Sequence, residues 1–293
     1  MRYRVRHVTT YTYSSSVQVS HHAVRLCPRA TPWQSAASPV LSLRPEPTAL
    51  GTWQQDYFGN PVLFFTIQQS HSAMTVEAET LVEVMPPLPV DPRATPPWET
   101  VRARLRRPRG TEEREAVEFL FDSQRLAQHH TVTAYARESF PPGRPILAGV
   151  LDLTRRIHAD FTYDPTATDV DTAPAEVIRL KRGVCQDFAH LEIACLRALG
   201  LPARYVSGYI LTHPPPGGEK LVGGDASHAW VSAFVPGSGW IDVDPTNNTL
   251  ARDEHVTLAW GRDYDDVSPL KGVVIGGGDH SLAVTVDVSP VRD

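Results

Sequence analysis

Polar and apolar residues alternate from the start of the chain. Tyr3, Val5 and His7 open the pattern, Val17 and Val19 resume it, and VLSLRP, VLFFTIQQ and MTVEAETLVEVM keep the period of two. That period belongs to strands with one buried face. Short runs separated by turn residues such as Gly59-Asn60-Pro61 predict an antiparallel, β-sandwich-like domain over residues 1–90. The proline cluster MPPLPVDPRATPPW can continue neither a strand ladder nor a helix, so the boundary is expected there.

The period then lengthens. Residues 91–144 read as a Pro-rich linker with a helical segment, TEEREAVEFLFDSQRLA, for which Thr111 is the expected N-cap. Ile146, Val150, Leu153 and Ile157 form one apolar stripe behind Pro145. DTAPAEVIRLKRG predicts a shorter helix stopped by Gly183, and VCQDFAHLEIACLRALG another, with Phe188, Leu191, Cys195 and Leu199 on its apolar face. After Pro202 the period of two returns in ARYVSGYIL, HAWVSAFV, GWIDVDPT and LAVTVDVSPV. Helices first and strands afterwards predict an α+β domain over 145–293, with a largely antiparallel sheet that takes in the C-terminal strands.

Composition narrows the function. At 293 residues the chain suits two domains with a core that needs no staples. Its three cysteines include no C-x-x-C pair, which argues against a disulfide framework or a four-cysteine zinc site and for a reducing compartment. The formal charge of -5 is too balanced for nucleic acid, and RARLRRPRG reads as a solvated linker. No apolar run approaches the roughly 18 residues of a spanning helix, and the strand-like N-terminus is no signal peptide. The expectation is a cytoplasmic protein that binds neither membrane nor nucleic acid.

Candidate chemistry centres on Cys185, at the first turn of a predicted helix, where a thiolate is favoured. Cys27 and Cys195 read as small buried hydrophobes. SHAWVSAFV places His228 at the head of a strand, and GWIDVDPT supplies Asp242 and Asp244. A thiol, a base and a carboxylate that orients the base are the parts of thiol acyl transfer. Strand parity sets a condition on the hairpin between them. A four-residue loop, 236–239, would put His228 and Asp244 on opposite faces. An odd loop or a one-residue bulge would gather Val231, Val235, Ile241 and Val243 on one face, and His228, Trp230, Asp242 and Asp244 on the other. Parity alone leaves Asp242 and Asp244 as rivals.

GVCQDFAHLEIACLRALGLPARYVSGY followed by SHAWVSAFVPGSGWIDVDPTNN closely resembles the core of the transglutaminase-like superfamily, papain-like in fold, through its G-V-C, H-A-W and G-W-x-x-x-D-P-T motifs. HAVRLCPRA and DYFGNPVLFF resemble the β-rich N-terminal domain of bacterial members, and GRDYDDVSPLKGVV their C-terminal stretch. The papain signature itself is absent.

The resemblance implies Cys185 as nucleophile, His228 as base and then acid, and Asp244 as orienting carboxylate, in preference to Asp242. The Cys185 N–H is the expected oxyanion donor, with Tyr163 a candidate for the second. Gln186, Asp187, His190 and Trp230 are the expected supporting residues. The expected activity is a cysteine peptidase or amidase on peptide or protein amides, with no metal or organic cofactor. Transfer to an amine is the alternative, and a non-catalytic peptide-binding module the alternative of another class. The resemblance also implies a functional link to an ATP-grasp peptide ligase. RDYDDVSP reads as a solvated acidic loop, and HPPPGGEK as a flexible loop bordering the cleft.

Overall fold

The alternation at the N-terminus produces strands, in a computed structural model that describes residues 1–212 and 226–291. They are β1 (Arg2–Val24), β2 (Gln34–Ala36), β3 (Val40–Arg44), β4 (Ala49–Leu50), β5 (Gln54–Gln55), β6 (Pro61–Ile67) and β7 (His71–Val84). Helices α1 (Trp98–Leu105), α2 (Gly110–Val117), α3 (His130–Glu138) and α4 (Ile146–Asp160) follow. Strand β8 (Thr162–Tyr163), helix α5 (Pro174–Leu180) and strand β9 (Arg182–Gly183) lead into α6 (Cys185–Ala198). The chain continues through β10 (Ala203–Ile210), β11 (Ala226–Val235), β12 (Gly239–Asp244), β13 (Thr249–Leu250) and β14 (His255–Gly261). It closes with the one-turn α7 (Tyr264–Val267), β15 (Leu270–Gly276) and β16 (His280–Pro290). None of the described helices is long and apolar enough to cross a membrane.

Strand β1 organises the first sheet. Its N-terminal half pairs with β7 on one side and β16 on the other, and its C-terminal half with β6 and β15, all antiparallel. Strand twist accumulates over its 23 residues and curls the sheet. One expectation is corrected here: LAVTVDVSPV joins β1, not the second sheet. The long β1 offers a complete second edge, and Val286 and Val288 reach the main core from that line. Gly276, Gly277 and Gly278, all at positive φ, break the line between β15 and β16.

The second sheet is antiparallel in the order β13-β12-β11-β10-β14. Helix α6 lies between this sheet and α3, α4 and α5, so residues 187–197 are buried on every side. The single stripe read from sequence is therefore only part of its buried surface, which also carries Asp187, His190, Glu192 and Arg197. Two amide side chains of the first sheet complete β14. Asn60 donates to the Trp260 carbonyl and accepts from its N–H, both at 2.9 Å. Gln34 does the same for Thr257 at 2.8 Å. Buried strand-edge groups must find partners, and these side chains stand in for a neighbouring strand.

Two helix termini differ from the sequence reading. The N-cap of α2 is Arg109, because the Glu113 carboxylate accepts the Arg109 N–H at 2.7 Å and leaves Thr111 inside the helix. Helix α5 stops at Lys181, which takes a left-handed conformation with φ of 55°, two residues before Gly183.

Candidate active site

Cys185 is the first residue of α6 and is half-buried. Its backbone N–H belongs to the first turn, where amides have no acceptor within the helix. The turn is held from both sides. Parallel pairing of β8 with β9 sets Tyr163 opposite Gly183. Asp187 then reaches back, accepting the Val184 N–H at 2.8 Å and the Thr168 hydroxyl at 2.7 Å. Gly183 has no side chain because a Cβ there would lie 2.7 Å from an Asp187 carboxylate oxygen.

The β11–β12 hairpin has the odd loop. Val235 pairs with Gly239, Ala233 with Ile241 and Val231 with Val243, leaving residues 236–238 as the loop. Val231, Val235 and Val243 are fully buried on one face, with Ile241 packed beside them. His228, Trp230, Asp242 and Asp244 share the other face. The structure separates the two aspartates on that face. Asp242 accepts the Trp230 indole N–H at 3.1 Å, whereas Asp244 Oδ2 lies 2.7 Å from His228 Nε2.

With Nε2 committed to Asp244, Nδ1 is the ring atom left for Cys185, which lines the same cavity. Burial disfavours a charged imidazole, but the hydrogen bond to Asp244 and the influence of the neighbouring Cys185 outweigh it and push the His228 pKa up to about 10. Burial likewise works against an ionised Asp244, yet hydrogen bonds from His228, His255 and Asn247 hold it far below the usual carboxylate range.

His255 and Asn247 are additions that the sequence reading missed. His255 Nε2 lies 3.1 Å and Asn247 Nδ2 2.7 Å from the same Asp244 Oδ2, while Oδ1 accepts the N–H of Thr246 and of Asn247. Asn247 was findable in D-P-T-N, since an aspartate commonly bonds backbone amides just downstream. His255 carries no local signal: it stands on β14, separated from β11 by β10. Gly208 makes the crossing open, since a Cβ there would meet the Trp230 ring at 2.4 Å. Trp230 lies across β10 at that point and packs edge-on against His255, with ring centroids 5.2 Å apart.

The remaining sequence candidates serve the site less directly. His190 is buried, its pKa pushed down to about 3 by burial, and its Nε2 accepts the Tyr264 N–H. Gln186 donates to the Val170 carbonyl at 3.1 Å. Tyr163 lines the cleft beside Cys185 with half its surface exposed. Glu192, wholly buried in α6, has its pKa raised by burial to about 8; it accepts from Thr154 at 2.7 Å and keeps its proton beside Asp244. Burial also raises the Cys27 thiol to about 11 and the Cys195 thiol higher still, which leaves both unreactive. RDYDDVSP is not a solvated loop. Asp263 is buried, accepting the Arg125 N–H and capping α7, while Asp265 pairs with Arg125 and Asp266 with Arg262. The HPPPGGEK segment lies outside the described residues.

A cavity of about 470 Å³ opens onto Cys185 and His228. Tyr163, Val184, Gln186, Tyr205, Ser207 and Tyr264 line it from β8, the start of α6, β10 and α7, and β1 and β16 close its far side. Among the described residues its lining contains no Asp, Glu, Lys or Arg. His228, Asp244 and His255 also bring two imidazoles and a carboxylate within 4.8 Å of one another, ligand types that suit a divalent metal ion. Here hydrogen bonds already occupy Asp244 Oδ2, and Asn247 directs its amide nitrogen at that oxygen, so a cation could enter only by displacing them.

Residues 3–83 match the bacterial transglutaminase-like N-terminal region, and residues 133–245 match the transglutaminase-like superfamily. An uncharacterised protein of Mycobacterium tuberculosis is 39% identical over 99% of this chain and 93% of its own length. One from Mycobacterium leprae is 32% identical over 98% of each. A protein-glutamine gamma-glutamyltransferase of Pseudomonas aeruginosa is 32% identical over 38% of this chain and 17% of its own. The crystal structure of a protein from Cytophaga hutchinsonii, provisionally assigned as a cysteine protease, has a TM-score of 0.75 at 22% identity, covering all of this chain and 92% of that one.

Proposed function

The chain belongs to the transglutaminase-like superfamily, and we propose that within it the protein is a cysteine peptidase or amidase working through Cys185, His228 and Asp244. One observation carries the reading: Cys185, at the start of α6, shares its cavity with an imidazole whose Nε2 lies 2.7 Å from a buried, ionised Asp244.

In this reading His228 already carries the proton that Cys185 has given up, and Cys185 Sγ attacks the amide carbonyl. The Cys185 N–H, aided by the helix dipole, meets the oxyanion that develops. His228 then returns the proton to the leaving amine, and the C–N bond breaks to leave a thioester. Water attacks next, giving a proton to His228, and the acid departs as the thiol is restored. Asp244 keeps the ring in one orientation throughout, and His255 and Asn247 keep Asp244 in place.

Water is favoured as acceptor because the cleft is open, with Tyr163 exposed at its rim, and because the described lining offers no carboxylate to hold a lysine ammonium. Amine transfer is the second reading, supported by the partial likeness to the Pseudomonas aeruginosa transferase. Labelling with iodoacetamide near pH 6.5, read by peptide mass spectrometry, tests the nucleophile. Cys185 should be alkylated well before Cys27 and Cys195, and His228→Ala should sharply slow its labelling. Labelling of Cys185 no faster than that of an ordinary exposed thiol, and indifferent to His228→Ala, would leave a binding module instead. Peptide incubations with and without a primary amine then separate the acceptors, hydrolysis products predominating if water is preferred.

A further inference from the structure

One face of the β1–β16 pair runs continuously from the core into the cleft. Tyr3, Val5 and Val288 at one end are buried in the main core. Further along, His7 stands opposite Val286, Thr9 opposite Val284 and Tyr11 opposite Leu282, and all six line the cavity at Cys185. Leu282 and Val284 are 54% and 45% exposed, apolar side chains held open to solvent where the cavity broadens. Large apolar groups left uncovered beside a reactive centre mark where a ligand's own apolar surface rests.

The polar groups of this wall are occupied internally. The Tyr209 hydroxyl lies 3.0 Å from His7 Nδ1, and His7 Nε2 lies 2.7 Å from the Thr9 hydroxyl. A single neutral ring satisfies both bonds, and burial holds the His7 pKa down at about 4. The wall therefore carries no charge at neutral pH, and the described residues facing it across the cleft add none beyond the Cys185–His228 pair. A charged substrate side chain entering here would lose hydration without gaining a counter-ion, whereas an apolar one would cover Leu282 and Val284.

We propose that β1 and β16 form a specificity wall that seats an uncharged, apolar substrate side chain beside the scissile amide, selecting peptides with Leu- or Phe-like residues there over those with Lys, Asp or Glu. This rests on the reading of Cys185 as nucleophile. The first sheet then serves catalysis directly, by building half of the substrate site.

The test traps the thiol without needing turnover. Peptidyl acyloxymethyl ketones carrying Leu, Phe, Lys or Glu next to the reactive ketone are incubated with the full chain. The sulfur of Cys185 displaces the carboxylate, forming a C–S bond as the C–O bond breaks, and intact mass reports the rate. Leu and Phe probes should react at least about 10-fold faster than Lys and Glu probes, the scale at which pockets discriminate apolar groups. Leu282→Glu should erase that preference and raise the rate of the Lys probe. Val284→Thr, which keeps a strand-compatible shape, should lower the Leu and Phe rates alone. In both variants an unchanged rate with iodoacetamide certifies an intact thiol. Equal rates for all four probes, or a preference indifferent to both substitutions, would overturn the wall while leaving the nucleophile standing. If neither iodoacetamide nor any probe labels Cys185 selectively, the catalytic reading falls and the wall falls with it.

Discussion

Asp244 is the residue on which the site's electrostatics turn. It is fully buried, yet it receives His228, His255 and Asn247 on one oxygen and two backbone amides on the other. An ionised carboxylate in that position holds a proton on His228. The sign of the resulting pH dependence follows from the direction of the shift. The His228 pKa is raised from its ordinary 6.5 to about 10, so the ring proton stabilises the fold fully below pH 6.5, and that contribution is lost as pH rises through about 10. Asp244→Asn removes the charge and keeps the shape. The His228 titration, followed by NMR of the ring protons, should move down, since burial still acts against the charged ring and the Asp244 share of the upward push is lost while only that of Cys185 remains. Turnover should fall by roughly 10⁴, as when the orienting carboxylate of other triads is made neutral. An unmoved titration would show that another group holds the proton.

At the scale of elements, the reactive turn is a product of its supports. Gly183, Val184 and Cys185 were legible as a motif, but the reason for the glycine is visible only where Asp187 folds back over it. Gly183→Ala would set a methyl group 2.7 Å from the Asp187 carboxylate oxygen and push it away from the Val184 amide. Loss of such a cap costs about 1 kcal/mol. The variant should therefore stay folded, with a melting temperature lowered by a few degrees in thermal unfolding. Its iodoacetamide selectivity at Cys185 should fall out of proportion to that change, and retention of full selectivity would deny the turn its positioning role. The hairpin shows the opposite situation, a register legible from sequence, because burying Val231, Val235 and Val243 together demands an odd loop or a one-residue bulge, and the loop is the odd one.

At the scale of the molecule, the two sheets depend on each other. Asn60 and Gln34 complete the edge of β14, Tyr209 reaches His7, and the last strand returns to the first. Cutting the chain after Pro269 would strip β1 of β15 and β16 and expose the core under Val286 and Val288, each worth roughly 1.5–3 kcal/mol of burial. The shortened chain should lose its cooperative melt in calorimetry; a transition within a few degrees of the full chain would contradict this interdependence. Local pattern determined much on its own: the strands of residues 1–90, the stripe of α4, the register of the β11–β12 hairpin, and the Cys185, His228 and Asp244 motifs. Each follows from periodicity or from short spacing, which a chain carries wherever it folds. Tertiary structure alone decided which sheet receives residues 280–290, why Gly208 is bare, that His255 reaches Asp244, and that Leu282 and Val284 face Cys185. Those pairings join residues that are far apart in the chain, across strand edges and sheet faces, and no local pattern encodes which surface will lie opposite.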